Sequence, residues 1–132
     1  MIDLREYLDA AGRNQYQAWF NGLDVAAATK VTVALERIAQ GKKSSIEPVG
    51  EGVSEYKIDF GPGYRIYFGK DGDHLVILLG GGAKKRQRQD IKDAKAAWRE
   101  YKARKKDALK QEGAKVPEKT KLKTKSKLNP KQ

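Results

Sequence analysis

Several residue types are missing or scarce in this sequence of 132 residues, and each absence excludes a class of protein or of functional site. There is no cysteine, which excludes disulfide bonds, zinc–thiolate sites and thiol nucleophiles. The single histidine, His74, has no marked nucleophile with which to form a Ser–His–Asp system. No long apolar run is present, and the charged residues Asp3, Arg5 and Glu6 stand near the start. We therefore expect no signal peptide, no membrane span and a cytoplasmic protein.

Motifs for phosphate loops and metals are incomplete. The segment 80–85 (GGGAKK) lacks the spacing of a nucleotide-binding P-loop, and no serine or threonine follows it. Asp71 and Asp73 have the spacing of calcium ligands in an EF-hand, but the rest of that loop is missing. We expect neither a metal nor a cofactor.

Positive charge is concentrated in the last third of the chain. Residues 1–80 carry nine Lys/Arg and eleven Asp/Glu, whereas residues 81–132 carry nineteen Lys/Arg and six acids. This distribution favours a polyanionic partner such as nucleic acid or the ribosome, although lysine-rich tails also serve solubility alone. Beyond residue 104, scattered lysines and isolated apolar residues predict a disordered tail over 105–132, after one domain over 1–104.

Hydrophobic spacing predicts three helices. Asn14 caps the first, whose apolar stripe is Tyr16, Trp19, Phe20 and Leu23. The second begins at Asp24 and stops at Gly41. A third, after the glycine run, carries the stripe Ile91, Ala94, Trp98 and Tyr101. Residues 2–7 form a possible short strand.

Between the second and third helices, alternation predicts three antiparallel strands. The segments 55–60 and 64–68 alternate around a tight GPG connection, and Asp71-Gly72 predicts a two-residue turn before the apolar run 75–79. If Phe60 lies opposite Tyr64 and Lys70 lies opposite Asp73, the two N-terminal helices pack against one face of the sheet. The side chains of that face are Tyr56, Ile58, Phe60, Tyr64, Ile66, Phe68, Leu75, Ile77 and Leu79. The other face holds Lys57, Asp59, Arg65, Tyr67, Val76 and Leu78, and a slip of one residue would exchange the faces.

The second face gathers groups that can act on a phosphodiester. Arginine matches phosphate oxygens in pairs, lysine supplies a point charge or a proton acceptor, and tyrosine stacks on a base or donates a proton. The predicted catalytic residues are Lys57, Arg65, Tyr67 and Lys84, and the predicted RNA-phosphate ligands are Lys85, Arg86 and Arg88. A simpler interpretation stays open, in which Asp59 and Arg65 form an ion pair and Lys57 only faces solvent.

The sequence resembles the RelE/ParE toxin superfamily, in its branch of HigB-related addiction-module killer proteins. The resemblance covers residues 1 to about 104 and depends on four segments: 50–58 (GEGVSEYKI), 60–68 (FGPGYRIYF), 78–85 (LLGGGAKK) and 89–91 (QDI). It implies a RelE-like α+β fold, with a small antiparallel sheet, two N-terminal helices on one face and a C-terminal helix near the groove.

The resemblance also implies a function. Members of this superfamily usually cleave mRNA, often on the ribosome and without a metal, and a small helix-turn-helix antitoxin (HigA-like) neutralises them. Matched to the family pattern, Arg65 is the arginine of the central hairpin, Lys57 the basic residue of the preceding strand and Lys84 the basic group after the last strand. The sequence departs from the pattern because no C-terminal histidine is present as a general acid. The alternatives are a gyrase-inhibiting toxin of the ParE type and a non-catalytic RNA- or ribosome-binding module.

Overall fold

The computed structural model describes residues 1–115, and side chains up to residue 112. It is an α+β protein with a five-stranded sheet, three α-helices and a 3₁₀ turn at Lys84–Arg86. The elements are, in chain order, β1 (Asp3–Glu6), α1 (Gln15–Asn21), α2 (Val25–Ala39), β2 (Ile46–Gly50), β3 (Val53–Ile58), β4 (Tyr64–Lys70), β5 (Leu75–Ala83) and α3 (Gln87–Lys115). The chain groups into a unit Met1–Tyr101 and a second unit that starts at Lys102.

The end of α3 differs from the sequence expectation. Residues 105–115 are helical, although the tail 105–132 was expected to be disordered from its first residue. Lysine, alanine, leucine and glutamine are all good helix formers, so this stretch continues the helix without needing a core. The rest of the expected tail, 116–132, lies outside the described residues.

The sheet order is β1-β5-β4-β3-β2, with β1 parallel to β5 and all other neighbours antiparallel. The predicted three-strand meander is therefore confirmed as β3–β4–β5, and the possible strand near the start is β1. Strand β2 was not predicted, because it is short and contains Pro48. It lies at the sheet edge, where proline is tolerated.

Both helix starts agree with the sequence, which predicted Asn14 as a cap and Asp24 as the start of the second helix. The Asn14 side chain accepts a hydrogen bond from the backbone N–H of Gln17, and the Asp24 side chain accepts one from Ala27. Helix α2 ends at Ala39, and Gly41 then takes a left-handed conformation with φ of 77°. Glycine adopts this conformation at little cost, so the predicted stop is confirmed.

Each face of the sheet carries a hydrophobic core. Helices α1 and α2 cover one face, and α3 covers the other. The first core is built from Tyr16, Val31, Ala34, Ile38, Tyr56, Ile58, Ile66, Phe68, Val76 and Leu78. The second is built from Val53, Tyr67, Ile77, Leu79, Ala94, Ala97 and Trp98. Strand β5 is thus covered on both sides, as its continuous apolar run predicted.

The predicted register was wrong for β5. Lys70 lies opposite Val76, and the Asp71 N–H donates to the Leu75 carbonyl, so the loop is longer than two residues. Because of this change in register, the side chains of β5 lie on the face opposite to the predicted one. Val76 and Leu78 face α1 and α2, whereas Ile77 and Leu79 face α3. The β3–β4 register was wrong by two residues, because Ile58 rather than Phe60 pairs with Tyr64. An even shift keeps each side chain on its predicted face.

Candidate functional site

The β3–β4 hairpin places four polar side chains on the sheet face that α3 covers. Lys57 lies directly opposite Arg65, and Glu55 lies directly opposite Tyr67. Directly opposed residues in an antiparallel pair share a face, so these four side chains are neighbours. The predicted opposition of Asp59 and Arg65 was wrong, because Asp59 follows the last paired residue of β3.

Arg65 is held by a buried carboxylate. Its Nε lies 3.5 Å from Glu55 Oε1, and the two residues are 9% and 2% exposed. The Gln87 side-chain amide, in the first turn of α3, donates to the same Oε1 at 3.1 Å. A buried charge is costly without a partner, so the carboxylate stabilises the charged guanidinium, and the burial of both side chains restricts their movement. Among the described residues, none forms a hydrogen bond with Arg65 Nε.

Gly63 brings Arg65 and Lys84 together. A Cβ atom at Gly63 would lie 3.8 Å from Arg65 Nη1 and 3.7 Å from Lys84 Cβ. The Lys84 N–H donates to the Gly63 carbonyl at 2.7 Å, which ties the 3₁₀ turn to the hairpin connection. The guanidinium therefore reaches the end of the hairpin, where exposed Lys84 begins a basic segment.

Lys57 lies at the exposed side of this cluster. Its Nζ is 3.1 Å from Glu47 Oε1 on β2. Two cations directly opposite each other repel, and the two ion pairs, with Glu47 and Glu55, offset that repulsion. The two cations and the two carboxylates together carry no net charge. An excess of positive charge at this end of the sheet must therefore come from other residues.

The basic segment after β5 supplies that excess. Lys84, Lys85 and Arg86 form the 3₁₀ turn, Arg88 follows in α3, and all four are exposed. The segment is continuous with the N-terminus of α3, whose partial positive charge adds to its own. The four residues form a cationic rim at the end of the sheet where Arg65 lies.

Tyr67 is placed differently from the sequence expectation. It is 0% exposed, beneath α3, and its hydroxyl has no hydrogen-bond partner in the part of the chain that the structure describes. Burial, and next the charges of Glu55 and Asp90, raise the pKa of this phenol, so it stays protonated. While α3 covers it, Tyr67 cannot stack on a base. Its predicted catalytic role would require α3 to move.

The α3 side of the cluster contains a carboxyl group that the sequence prediction did not include. Asp90 lies against Gly82, and a Cβ at Gly82 would overlap the Asp90 carboxylate. Gly82 is the cross-strand partner of Arg65, so Asp90 lies over the strand next to the arginine. Burial raises the pKa of Asp90, although Arg86 opposes the shift.

The glycine run 80–82 is explained by packing. Strand β5 continues through it to Ala83, beyond the apolar run 75–79 on which the sequence prediction was based. A Cβ at Gly81 would lie 2.2 Å from a ring atom of Trp19, and one at Gly82 would overlap Asp90. These glycines allow α1 and α3 to approach the strand closely, one on each face.

Sequence reasoning missed Glu55, Gln87 and Asp90. Glu55 belongs to the same alternation as Lys57, so the period-2 pattern could have placed it on the polar face. Gln87 and Asp90 could not have been found in this way, because the pattern did not indicate that α3 folds over that face. Within residues 1–115, no three potential ligands among His, Cys, Asp and Glu come together, and no helix is long and apolar enough to cross a membrane.

Comparison with known proteins identifies the family. Residues 18–102 match the sequence model of the phage-derived Gp49-like proteins (DUF891). The chain belongs to this family, which is associated with toxin–antitoxin systems and is of the RelE/HigB-like type. A Haemophilus influenzae protein described only as uncharacterized is 38% identical over 81 residues, which span 61% of this chain and 82% of that protein. Membership in the family implies an antitoxin partner; assignment to the HigB branch is a finer step that the match does not make.

Proposed function

We propose that this protein is the toxin of a type II toxin–antitoxin system and cleaves mRNA as a metal-independent endoribonuclease, in association with the ribosome. The main support is the position of Arg65, whose guanidinium is fixed by Glu55 and reaches the hairpin end beside Lys84. A helix-turn-helix antitoxin of the HigA type is the proposed partner.

The proposed reaction is an internal transesterification of RNA. The 2′-oxygen of one nucleotide attacks the adjacent phosphorus, the bond to the 5′-oxygen breaks, and a cyclic phosphate forms. A water molecule accepts the 2′ proton, and the 5′-oxygen takes a proton from water. Negative charge grows on the non-bridging oxygens, where Arg65 and Lys84 can stabilise it. A planar guanidinium that is already oriented is suited to two of these oxygens at once.

The remaining basic residues fit a substrate-binding role. Lys57, Lys85, Arg86 and Arg88 flank the Arg65–Lys84 pair and are exposed. Contacts with phosphates position RNA without reading its sequence. We propose that these residues hold the strand on either side of the scissile phosphate.

The test compares wild-type protein with Arg65 variants in cells and in vitro. Arg65→Lys keeps the charge opposite Glu55 but loses the planar fork, and a control Arg37→Ala removes an exposed arginine from α2. New RNA 5′ ends are mapped by primer extension, and cleavage of purified RNA is followed in EDTA. We expect new ends with wild type and Arg37→Ala, and at least roughly 100-fold fewer with Arg65→Lys.

Other results of these experiments would support a different function. Growth arrest and DNA damage without new RNA ends would favour the gyrase-inhibiting alternative. Salt-sensitive RNA binding without cleavage or toxicity would favour a non-catalytic RNA-binding module. A folded Arg65→Lys protein with full cleavage activity would remove Arg65 from the proposed site.

A further inference from the structure

A second surface, on the opposite face of the sheet from Arg65, has no role in the proposed reaction. It is a groove of about 480 Å³ between the C-terminal end of α2 and the sheet. The groove exists because α2 ends at Ala39 and the left-handed φ of Gly41 then turns the chain away, while the sheet continues below. We call it the α2-end groove.

The floor and walls of the α2-end groove are largely apolar. Ile2, Ile38 and Ile46 line its walls, and Phe68 and Val76 contribute to its floor. These side chains are buried or half-buried and belong to the core under α1 and α2 or pack against it. The groove is therefore a continuation of the core that α2 leaves uncovered.

The rim of the α2-end groove is cationic. Lys42 and Lys43 follow the end of α2, and Lys70 stands on β4. All three are exposed, and among the residues that the structure describes no acidic side chain lines the groove. Three positive charges around an apolar floor are complementary to a ligand with apolar side chains and flanking carboxylates.

RNA fits this surface poorly. A bound base requires stacking platforms or hydrogen-bonding groups. Among the described residues that line the groove, Phe68 is the sole aromatic and is only 3% exposed, and Ser54 is the sole uncharged polar side chain. An amphipathic peptide fits better, because apolar residues spaced along one side of a helix can enter such a groove while its acidic residues meet the lysines. The volume also lies within the range of about 300–1,000 Å³ that is typical of binding pockets.

We propose that the α2-end groove is an anchoring site for an acidic amphipathic segment of the antitoxin. This inference rests on the proposed function, since it takes the partner to be an antitoxin. The groove and Arg65 are on opposite faces of the sheet, so occupation of the groove leaves the RNA-acting residues unchanged. The groove accordingly contributes affinity for the antitoxin and does not itself block RNA.

The experiment uses an antitoxin selected for its ability to rescue cells that express this protein, and it measures binding of that antitoxin to the protein. The test variant is Lys42→Glu/Lys43→Glu/Lys70→Glu. The control is Lys92→Glu/Lys106→Glu/Lys110→Glu, which makes the same charge change at exposed positions of α3. Dissociation constants are measured by titration calorimetry with the full chain at several salt concentrations, and circular dichroism checks that each variant is folded.

We expect the groove variant to bind the antitoxin roughly 10- to 100-fold more weakly than wild type at low salt, with a smaller salt dependence of the dissociation constant. The control variant should change affinity less than about threefold. A second variant, Ser54→Phe, fills the floor without changing charge and should also weaken binding. In cells, the groove variant should stay toxic and be rescued less by the antitoxin than wild type.

Equal antitoxin affinity for wild type and the groove variant would overturn the inference. If the groove variant then also fails to bind an anionic amphiphile such as myristate, which wild type binds, the groove is a small-molecule site. RNA cleavage by wild type without antitoxin is measured in parallel. If cleavage is absent but the groove variant still loses antitoxin affinity, the ribonuclease proposal fails and the groove assignment stands.

Discussion

At the scale of single residues, the site depends on how Arg65 is held. An arginine that projects freely into solvent must lose side-chain entropy when it binds phosphate, whereas Arg65 is already fixed by Glu55 and by packing. Glu55 is therefore a positioning residue in the proposed mechanism. It orients the guanidinium, and Gln87 in turn orients Glu55.

Glu55→Gln tests this positioning role. The amide keeps the size of the side chain but loses the charge opposite Arg65, so the guanidinium is less firmly oriented. We expect kcat for RNA cleavage to fall about 10- to 100-fold, with a smaller change in KM, because misplacement affects the transition state most. Steady-state kinetics on a short RNA measure this split. A change in KM alone would contradict the role, and Glu47→Gln, which removes the exposed partner of Lys57, is the control.

Asp90 offers a test of the electrostatics next to the site. Because burial raises its folded-state pKa above 3.8, the folded protein binds a proton more tightly than the unfolded chain in this pH range. Stability contributed by Asp90 is therefore lost as the pH rises from the pKa of Asp90 in the unfolded chain to its pKa in the folded protein. Asp90→Asn removes this loss.

We expect the Asp90→Asn protein to have a higher Tm than wild type at pH 7, and the two melting temperatures to converge near the pKa of an ordinary aspartate, at about pH 4. Thermal unfolding followed by circular dichroism across this range measures the effect. Asp107→Asn, at an exposed position of the same helix, should leave Tm nearly unchanged. A lower Tm for Asp90→Asn at pH 7 would mean that the carboxylate stabilises the helix start.

At the scale of elements, the caps and periodicities predicted all three helices and the meander. Asn14 and Asp24 were found because capping is local, and the alternation in β3 and β4 identified the face of Lys57 and Arg65. The faces of β5 could not be assigned, because an apolar run covered on both sides has no polar residue to mark its phase. Its register further depends on a bulge after Tyr67 and on a loop longer than the Asp71-Gly72 pattern indicates.

The glycine run shows a packing constraint that can be tested at one element. A Cβ at Gly81 would lie 2.2 Å from Trp19, whereas a Cβ at Gly80 would have Gln15 Oε1 at 4.0 Å as its nearest contact. We expect Gly81→Ala to destabilise the protein by about 1–3 kcal/mol, because the indole or the strand must shift. Gly80→Ala is the matched control and should change stability by less than about 0.5 kcal/mol. Urea unfolding at constant m-value measures both, and equal effects would contradict the close approach of α1.

At the scale of the whole molecule, charge and core are separated along the chain. Among the described side chains, every member of the two cores lies at or before Tyr101. The ten lysines and three acids of residues 105–132 come after that point. Composition could predict this separation because it depends only on counts. It could not predict that α3 covers the face of Arg65, since that depends on the packing of Ala94 and Trp98 against the sheet.

Deletion of residues 105–132 tests what the separated charge does. Because these residues add no described side chain to either core, we expect Tm to change by less than about 3 °C. Their net charge of +7 should contribute phosphate contacts, each adding about 0.7 to the slope of log K against log salt for single-stranded RNA. The truncated protein should therefore bind RNA more weakly at low salt and with a smaller slope. A full-length variant with these ten lysines changed to glutamine separates charge from chain length. If both proteins keep the wild-type slope, the RNA contacts lie in the cationic rim at Lys84, Lys85, Arg86 and Arg88, and the terminal lysines take no part in RNA binding.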